Sequence, residues 1–188
     1  MRDAALAEIG RAEPEIDATK RATTILNPFT VIVDSREQRP YAFLGLSADA
    51  KQKSLPLTIP TVRGTLHDGD YSIQGMETCL IERKSKEDLY GSVAKRDNFI
   101  GRLERMNAIA EAGGYCCVMV ECNDVDLLDR PKHSRLAAKS LNRTIIAWRQ
   151  RYRVDWYFCS TRERAEAFTF RILERFWNDR QGRQKSAK

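Results

Sequence analysis

Residues 69–84 of this 188-residue chain read GDYSIQGMETCLIERK, and the architecture that we expect is built around them. The second half of this stretch, residues 78–84, mixes apolar and β-branched residues and lies between a glycine and a polar segment, which predicts a β-strand. Because side chains alternate between the faces of a strand, Glu82 and Lys84 should share one face while Arg83 points to the other. The sequence therefore predicts a carboxylate and an ammonium group on one surface of a sheet.

A second carboxylate lies upstream in the same stretch. Asp70 directly follows Gly69, at a point where the chain can re-enter the sheet and bring this side chain to the surface that carries Glu82. Two carboxylates can hold Mg²⁺ or Mn²⁺, hard cations that prefer oxygen ligands and keep several waters for a substrate to displace. Two acids and a lysine in this arrangement suit metal-dependent cutting of a phosphodiester.

The flanking sequence predicts an α/β fold. Residues 29–34 (FTVIVD) form an apolar, β-branched run that ends in an acid, which suits a buried central strand. Residues 61–66 and 71–74 predict two short strands that form a meander with the strand at 78–84. After Lys84 the apolar pattern becomes helical and helices alternate with strands, so we expect a central mixed β-sheet flanked by helices.

Three of the expected helices carry further features. Ser85 and Asp88 match a capping box at the start of the first helix. A long helix is expected over about residues 134–152, with an apolar face formed by Leu141, Ile145, Trp148 and Tyr152. Its roughly opposite side is basic and carries Arg135, Lys139, Arg143, Arg149 and Arg153. The last helix has an apolar stripe expected in the core, formed by Phe168, Ile172 and Phe176.

Composition bounds the organisation of the chain. With 42% hydrophobic residues, 188 residues bury one good core, so we expect one domain with tails. We place a flexible N-terminal arm at residues 1–27, the folded domain at 28–178 and a basic C-terminal tail at 179–188. The formal net charge of +6 favours a polyanionic partner, although many proteins without one are equally basic.

Cysteine usage and the lack of a targeting segment predict a cytoplasmic protein. The chain has five cysteines and no CxxC pair, which supports neither a disulfide framework nor a zinc site. Reduced, buried thiols are the expected state. Residues 1–25 lack the apolar core of a secretory signal, and no apolar run reaches 18 residues, so we expect no membrane association.

Three ordered blocks carry a resemblance to a known family. They are residues 31–37 (VIVDSRE), residues 69–71 (GDY) and residues 82–84 (ERK), the last followed by Asp88 four positions on. Together they resemble the XPF nuclease-domain family of the PD-(D/E)xK nucleases, whose signature is GD, a variable gap, ERK, three residues and D. The likeness runs from about residue 31 to residue 121 and implies a restriction-endonuclease-like core with Mg²⁺ or Mn²⁺ as cofactor.

The resemblance also implies roles for particular side chains. The implied catalytic residues are Asp34, Glu37, Asp70, Glu82 and Lys84. The implied metal ligands are Asp70, Glu82 and the main-chain carbonyl of Arg83, with Asp34 as a further ligand or water-mediated partner. Lys84 would orient or activate the attacking water and offset charge on the phosphate. Asp88 stays open, because a helix cap explains it as well as catalysis does.

The expected DNA contacts are basic residues, each with an alternative. Arg36 and Arg83 either contact DNA phosphate or brace the carboxylates. Arg135, Lys139 and Arg143 either contact DNA or form an ordinary solvated helix face. The family usually follows this domain with paired helix-hairpin-helix units, which this sequence lacks, as it lacks a Gly-Lys-Thr/Ser phosphate loop. We therefore expect the basic helix and tail, a homodimer or a partner chain to position the DNA.

The function implied is a metal-dependent DNA endonuclease that hydrolyses phosphodiester bonds, with branched or flap DNA of recombination, replication or repair as the expected substrate. Two alternatives stay open at this point. One is a DNA-binding or scaffolding module that needs a partner to cut. The other is a nuclease that acts on plain duplex DNA.

Overall fold

The computed structural model describes residues 24–48 and 55–186. In chain order the strands are β1 (Ile25–Leu26), β2 (Val31–Asp34), β3 (Ser47–Ala48), β4 (Leu55–Thr58), β5 (Thr61–Gly64), β6 (Tyr71–Ile73), β7 (Met76–Lys84), β8 (Tyr115–Val120) and β9 (Asp155–Phe158). The α-helices are α1 (Lys86–Ala94), α2 (Arg96–Glu111), α3 (Ala138–Arg151) and α4 (Arg162–Ser186), and a short 3₁₀ helix covers Asp126–Leu128.

Six of the strands form a mixed sheet in the order β5-β2-β6-β7-β8-β9. Strand β6 is antiparallel to both of its neighbours, β2 and β7, whereas the other neighbouring pairs are parallel. Strands β2, β5, β7, β8 and β9 therefore run in one direction and end at one edge. Strands β1, β3 and β4 form a separate small sheet in the order β1-β4-β3. The predicted α/β fold with a central mixed sheet is confirmed.

The core lies on both faces of the six-stranded sheet. On one face Leu80 and Val118 pack with buried side chains of α1, α2 and α3. On the other face the alternate residues Ile81 and Met119 pack with buried side chains of α4 and of β2. Because both faces are covered, the interior strand β8 is a continuous apolar run, YCCVMV, buried over five of its six residues. One sheet thus separates two apolar layers.

The strand pairing differs from the expected meander. Strand β5 pairs in parallel with β2, not with β6, and β6 lies between β2 and β7. Parallel neighbours need a long crossover, and the segment between residues 34 and 61 supplies it. The sequence predicted β6 as the neighbour of β5 because the two strands follow each other in the chain. The segment between residues 34 and 61 has no apolar periodicity that would indicate the crossover.

Two further expectations need correction. The basic helix begins at Ala138, not near residue 134, so Arg135 lies in the loop that precedes α3.

Phe168 is expected in the core from its spacing, but it is among the exposed large apolar side chains. It lies over Tyr157 of β9, the last strand of the sheet, so no further strand covers it. Leu141, Ile145, Trp148 and Tyr152 are buried as expected, and the five cysteines are free and buried.

The domain boundaries expected from sequence stay predictions. The N-terminal arm lies outside the described residues as far as residue 23, and Ile25 begins β1. The boundary at residue 179 falls inside α4, which continues to Ser186. In the described ranges 24–48 and 55–186, no helix is long and apolar enough to cross a membrane.

Candidate active site

The polar side chains singled out from the sequence meet at the edge where the parallel strands end. Asp34 is the last residue of β2, Lys84 is the last residue of β7, and Glu121 follows β8. Asp70 immediately precedes β6, which starts at the same edge because it runs in the opposite direction. Carboxyl ends of parallel strands are where α/β proteins place their sites. We call the opening at this edge the carboxylate cleft; it has a volume of about 660 Å³, and its lining includes Asp34, Arg36, Glu37, Asp70, Glu82, Arg83, Lys84, Asp88 and Arg102.

A glycine turn fixes the position of Asp70. Gly69 has a φ of 76°, and a Cβ atom there would lie 3.3 Å from the carbonyl oxygen of Ile81, so a side chain is disfavoured on both counts. The Asp70 N–H donates to that same carbonyl at 2.8 Å, and the Arg83 N–H donates to Asp70 Oδ2 at 2.7 Å. The main chain of β7 thus holds both the backbone and the carboxylate of Asp70.

Glu82 is the second buried carboxylate. Its side chain is 1% exposed, and Lys84 Nζ lies 2.7 Å from Glu82 Oε1, as the alternation along β7 predicted. A second cation, the Arg102 guanidinium of α2, contacts the same oxygen. The other oxygen, Glu82 Oε2, is buried and has no hydrogen-bond partner in the part of the chain that the structure describes. A buried carboxylate oxygen without a partner is costly and indicates a missing donor or cation.

The raised pKa of Asp70 is a second indication that a cation is missing from the cleft. Burial raises the pKa of Asp70 to about 8, and the negative charges of Glu82 and Glu37 add to the rise, while the hydrogen bond from Arg83 N–H and the charge of Lys84 lower it. Among the described residues, no basic side chain forms an ion pair with Asp70. Asp70 therefore has no cation of its own, because both nearby cations, Lys84 and Arg102, contact Glu82.

These residues fit a divalent cation in part. In the described ranges, no group of three or more His, Cys, Asp and Glu side chains is arranged to hold a metal ion. A site here would rest on the carboxylates of Asp70 and Glu82 and be completed by a main-chain oxygen and water, the donor set that suits Mg²⁺ or Mn²⁺. The unpartnered Glu82 Oε2 supplies one open ligand position. The main-chain carbonyl of Arg83 stays a prediction as the third ligand.

Asp34 shares the cleft, but its oxygens are already engaged. The Arg36 backbone N–H and Nε donate to Oδ1 at 2.9 and 2.8 Å, and Arg36 Nη2 and the Leu66 N–H donate to Oδ2 at 3.1 and 2.8 Å. Burial alone raises the pKa of Asp34, but these hydrogen bonds outweigh it and hold the pKa below its ordinary value. Asp34 is therefore less open to a metal than Asp70 or Glu82 are, and its role as a ligand stays a prediction.

Arg83 faces the opposite side of the sheet, as expected, and forms a buried ion-pair network. Its Nε and Nη2 donate to the two oxygens of Glu121, both at 2.7 Å, and its Nη1 lies 3.4 Å from Glu37 Oε1. Arg162 of α4 donates to Glu121 Oε1 as well, at 2.7 Å. With 6% of its side chain exposed, Arg83 braces the carboxylates and offers no free surface to a phosphate. Of the two roles left open for Arg83, this geometry favours the bracing role.

The remaining predicted residues fall into two groups. Ser85 accepts a hydrogen bond from the Asp88 N–H at 3.1 Å and donates to Asp88 Oδ2 at 2.8 Å, which accounts for Asp88 as part of the helix cap. Asp88 nevertheless lies on the cleft lining. Lys139 and Arg143 are exposed on α3, outside the cleft lining.

Sequence reasoning missed two residues of the site. Arg102 lies three residues after Phe99 and next to Leu103, both buried, so its place beside the apolar stripe of α2 was a usable signal. Glu121 is an acid at the end of a buried strand, the same position that drew attention to Asp34. Neither residue belongs to the three sequence blocks.

Two solved structures have a fold similar to that of this chain. XPF from Aeropyrum pernix has a TM-score of 0.53 at 19% identity and matches over 77% of this chain and 62% of its own. XPF from Aeropyrum pernix in complex with DNA has a TM-score of 0.51 at 21% identity, over 80% of this chain and 66% of its own. The chain has an XPF-type nuclease fold.

The likeness to XPF is one of fold, since the identities are low and the chain spans 62% and 66% of the two structures' lengths. No family model and no curated protein sequence matches the chain. The roles of the individual XPF-like motif residues therefore rest on the geometry of the cleft.

Proposed function

We propose that the chain is a Mg²⁺- or Mn²⁺-dependent DNA endonuclease that hydrolyses phosphodiester bonds in the carboxylate cleft. The observation that carries this proposal is the arrangement of Asp70 and Glu82. They are two carboxylates at the strand ends of an XPF-type nuclease fold. Within the described residues, the buried Glu82 Oε2 has no hydrogen-bond partner, and Lys84 Nζ lies 2.7 Å from the other oxygen, Glu82 Oε1. That one of the structurally similar proteins binds DNA supports the choice of substrate.

Each residue of the cleft has a distinct task in this proposal. Asp70 and Glu82 would hold the cation, and Arg83 N–H would keep the Asp70 carboxylate in place. When bound, the divalent ion supplies a Lewis acid that makes water more acidic and offsets the charge that builds on the phosphate. Lys84 would orient the attacking water and add positive charge beside the phosphate, a form of electrostatic stabilisation that is strongest in a water-poor cleft.

Binding of DNA would use cations around the cleft. Arg36 is 60% exposed and lies on the cleft lining, so it can brace Asp34 and still contact a phosphate. Lys139 and Arg143 provide further exposed charge on α3. We propose that a homodimer or a partner chain assists in positioning the DNA and that branched or flap DNA is the preferred substrate.

Cleavage of a DNA panel tests the proposal. Labelled flap, fork, junction, single-stranded and plain duplex DNAs are incubated with the purified chain and Mg²⁺ or Mn²⁺, with EDTA as the control. We expect cutting of the branched substrates that EDTA abolishes. Binding of branched DNA without nicking in either metal would favour a scaffolding module, and equal cutting of plain duplex DNA would favour a nuclease without structure specificity.

A further inference from the structure

Two cationic side chains contact the same carboxylate oxygen of Glu82. Lys84 Nζ lies 2.7 Å from Glu82 Oε1, and the Arg102 guanidinium contacts the same atom. Arg102 reaches this oxygen from α2, twenty residues further along the chain than Glu82. In the described part of the molecule, Glu82 is the one hydrogen-bond acceptor of the Arg102 side chain.

The charge count changes when the cleft holds a divalent cation. In its absence, two carboxylates, Asp70 and Glu82, face two cations, Lys84 and Arg102. With two further positive charges, the same group carries an excess of two. Like charges a few ångströms apart in a poorly solvated cleft repel strongly, so one side-chain cation is expected to leave Glu82.

Exposure and packing distinguish the two cations. Lys84 is 14% exposed and lies over the Phe99 ring, with Nζ 5.0 Å from its centroid. Arg102 is 31% exposed and has no comparable aromatic contact among those described. It therefore loses less on leaving Glu82 than Lys84 does.

A groove beside the carboxylate cleft can receive the Arg102 side chain once it leaves Glu82. Arg102 lines both the carboxylate cleft and an adjoining groove of about 370 Å³, whose other lining residues include Lys95 and Asn98 as well as the acidic Glu87 and Asp88. A guanidinium is a planar donor that binds phosphate through two parallel hydrogen bonds, which makes it suited to a DNA backbone that enters the cleft along this groove.

We propose that Arg102 is a phosphate-binding residue that pairs with Glu82 in the absence of metal and transfers to the DNA backbone when the cleft is occupied by a divalent cation. This transfer couples the two binding events, so each ligand tightens the binding of the other. The inference rests on the proposed function, because it takes DNA as the substrate and Asp70 and Glu82 as metal ligands.

The first test measures metal binding without DNA. Mn²⁺ is titrated by calorimetry into the wild-type chain, Arg102→Met and the control Arg96→Met. The control removes an exposed arginine of the same helix, whose one side-chain hydrogen bond within the described residues is to Thr144. We expect Arg102→Met to bind Mn²⁺ several-fold more tightly, because a competing cation is gone, and Arg96→Met to match the wild type. Arg102→Lys serves as a second variant that retains the charge and should stay close to the wild type.

The second test measures the coupling. Binding of fluorescently labelled flap DNA is followed by anisotropy at constant ionic strength, with and without Ca²⁺, and the DNA is checked on a gel to be intact. Ca²⁺ should tighten binding by the wild type and by Arg96→Met. For Arg102→Met this gain should be smaller by about tenfold, the size expected for one charge-assisted hydrogen bond to phosphate.

Each outcome has a definite meaning. Weaker or unchanged Mn²⁺ binding by Arg102→Met, or a Ca²⁺ gain equal to that of the wild type, would overturn the transfer and leave Arg102 as a brace of Glu82. In that case wild-type Mn²⁺ binding would still support the proposed function. Failure of the wild type to bind Mn²⁺ at all would overturn both proposals.

Discussion

Replacing Asp70 with asparagine should remove a pH-dependent loss of stability from the metal-free protein. The pKa of Asp70 rises from its ordinary value of 3.8 to about 8, with burial as the largest cause. The protonated carboxyl is thus favoured in the folded state. Its contribution to stability is complete below the unfolded-state pKa and is lost as the pH rises through the folded-state value. Asparagine is uncharged throughout and its side-chain oxygen can still accept the hydrogen bond from Arg83 N–H.

The size of the effect follows from the pKa. One pKa unit corresponds to about 1.4 kcal/mol, so the interval from pH 5 to the folded-state pKa sets an upper limit of about 4 kcal/mol. Reorientation of Lys84 and entry of water reduce this figure, and we expect the free energy of unfolding of the wild type to fall by about 2 to 3 kcal/mol relative to Asp70→Asn between pH 5 and pH 9.

Urea unfolding in EDTA measures this difference. The two proteins are unfolded at several pH values from 5 to 9, with the fluorescence of the buried Trp148 and Trp156 as the signal. The difference between the variants isolates Asp70, because the histidines and other titrating groups are common to both. Parallel pH profiles, or a loss of stability in Asp70→Asn that grows with pH, would show that Asp70 does not have a raised pKa in the folded protein.

Three further predictions follow from contacts around the cleft. Arg83→Met should lower the free energy of unfolding by about 2 to 4 kcal/mol in urea titrations, because Arg162 is then the one cation left on Glu121 among the described residues. A loss below about 1 kcal/mol would show that the network is not stabilising. Ser85→Ala should cost about 1 kcal/mol by thermal unfolding and leave DNA cleavage intact, as expected for a helix cap, whereas loss of cleavage would give the cap a role in catalysis. Replacing Lys139 and Arg143 with glutamine should weaken DNA binding and lower the slope of log K against log salt concentration, and an unchanged slope would return these residues to an ordinary solvated face.

The centre of the site was predictable because strand geometry is local. Alternation along β7 places Glu82 and Lys84 on one face and Arg83 on the other, and the structure has this arrangement. The glycine before Asp70 indicated a turn, and Gly69 has the positive φ that such a turn requires. Each of these features depends on a few neighbouring residues, so the sequence carries enough information to predict it.

The remaining features depend on contacts between distant segments. Strand β5 pairs with β2 across a long connection, and no local pattern distinguishes that neighbour from β6. Arg102 meets Glu82 only because α2 packs over β7, and Glu121 meets Arg83 only because β8 is its neighbour in the sheet. Phe168 has helical spacing typical of a core residue, but the end of the sheet leaves it partly uncovered.

Two carboxylates at the polar edge of the sheet lower the stability of the fold. Among the described residues, the buried Glu82 Oε2 has no hydrogen-bond partner and Asp70 has no basic ion-pair partner. A structure optimised for stability alone would replace such groups with apolar side chains. Their presence at the ends of the strands, where other carboxylates are fully hydrogen-bonded, is what the proposed metal-dependent chemistry would explain.

The most direct test compares Glu82→Gln with Glu87→Gln in one cleavage assay. Both variants remove one carboxylate from the cleft lining, but Glu87 is exposed whereas Glu82 is the buried acid with the open oxygen. With labelled flap DNA and Mn²⁺, we expect the wild type and Glu87→Gln to cut the DNA, whereas Glu82→Gln should stay folded and leave the DNA intact. Cutting by Glu82→Gln at the wild-type rate would contradict the claim that this cleft performs the reaction.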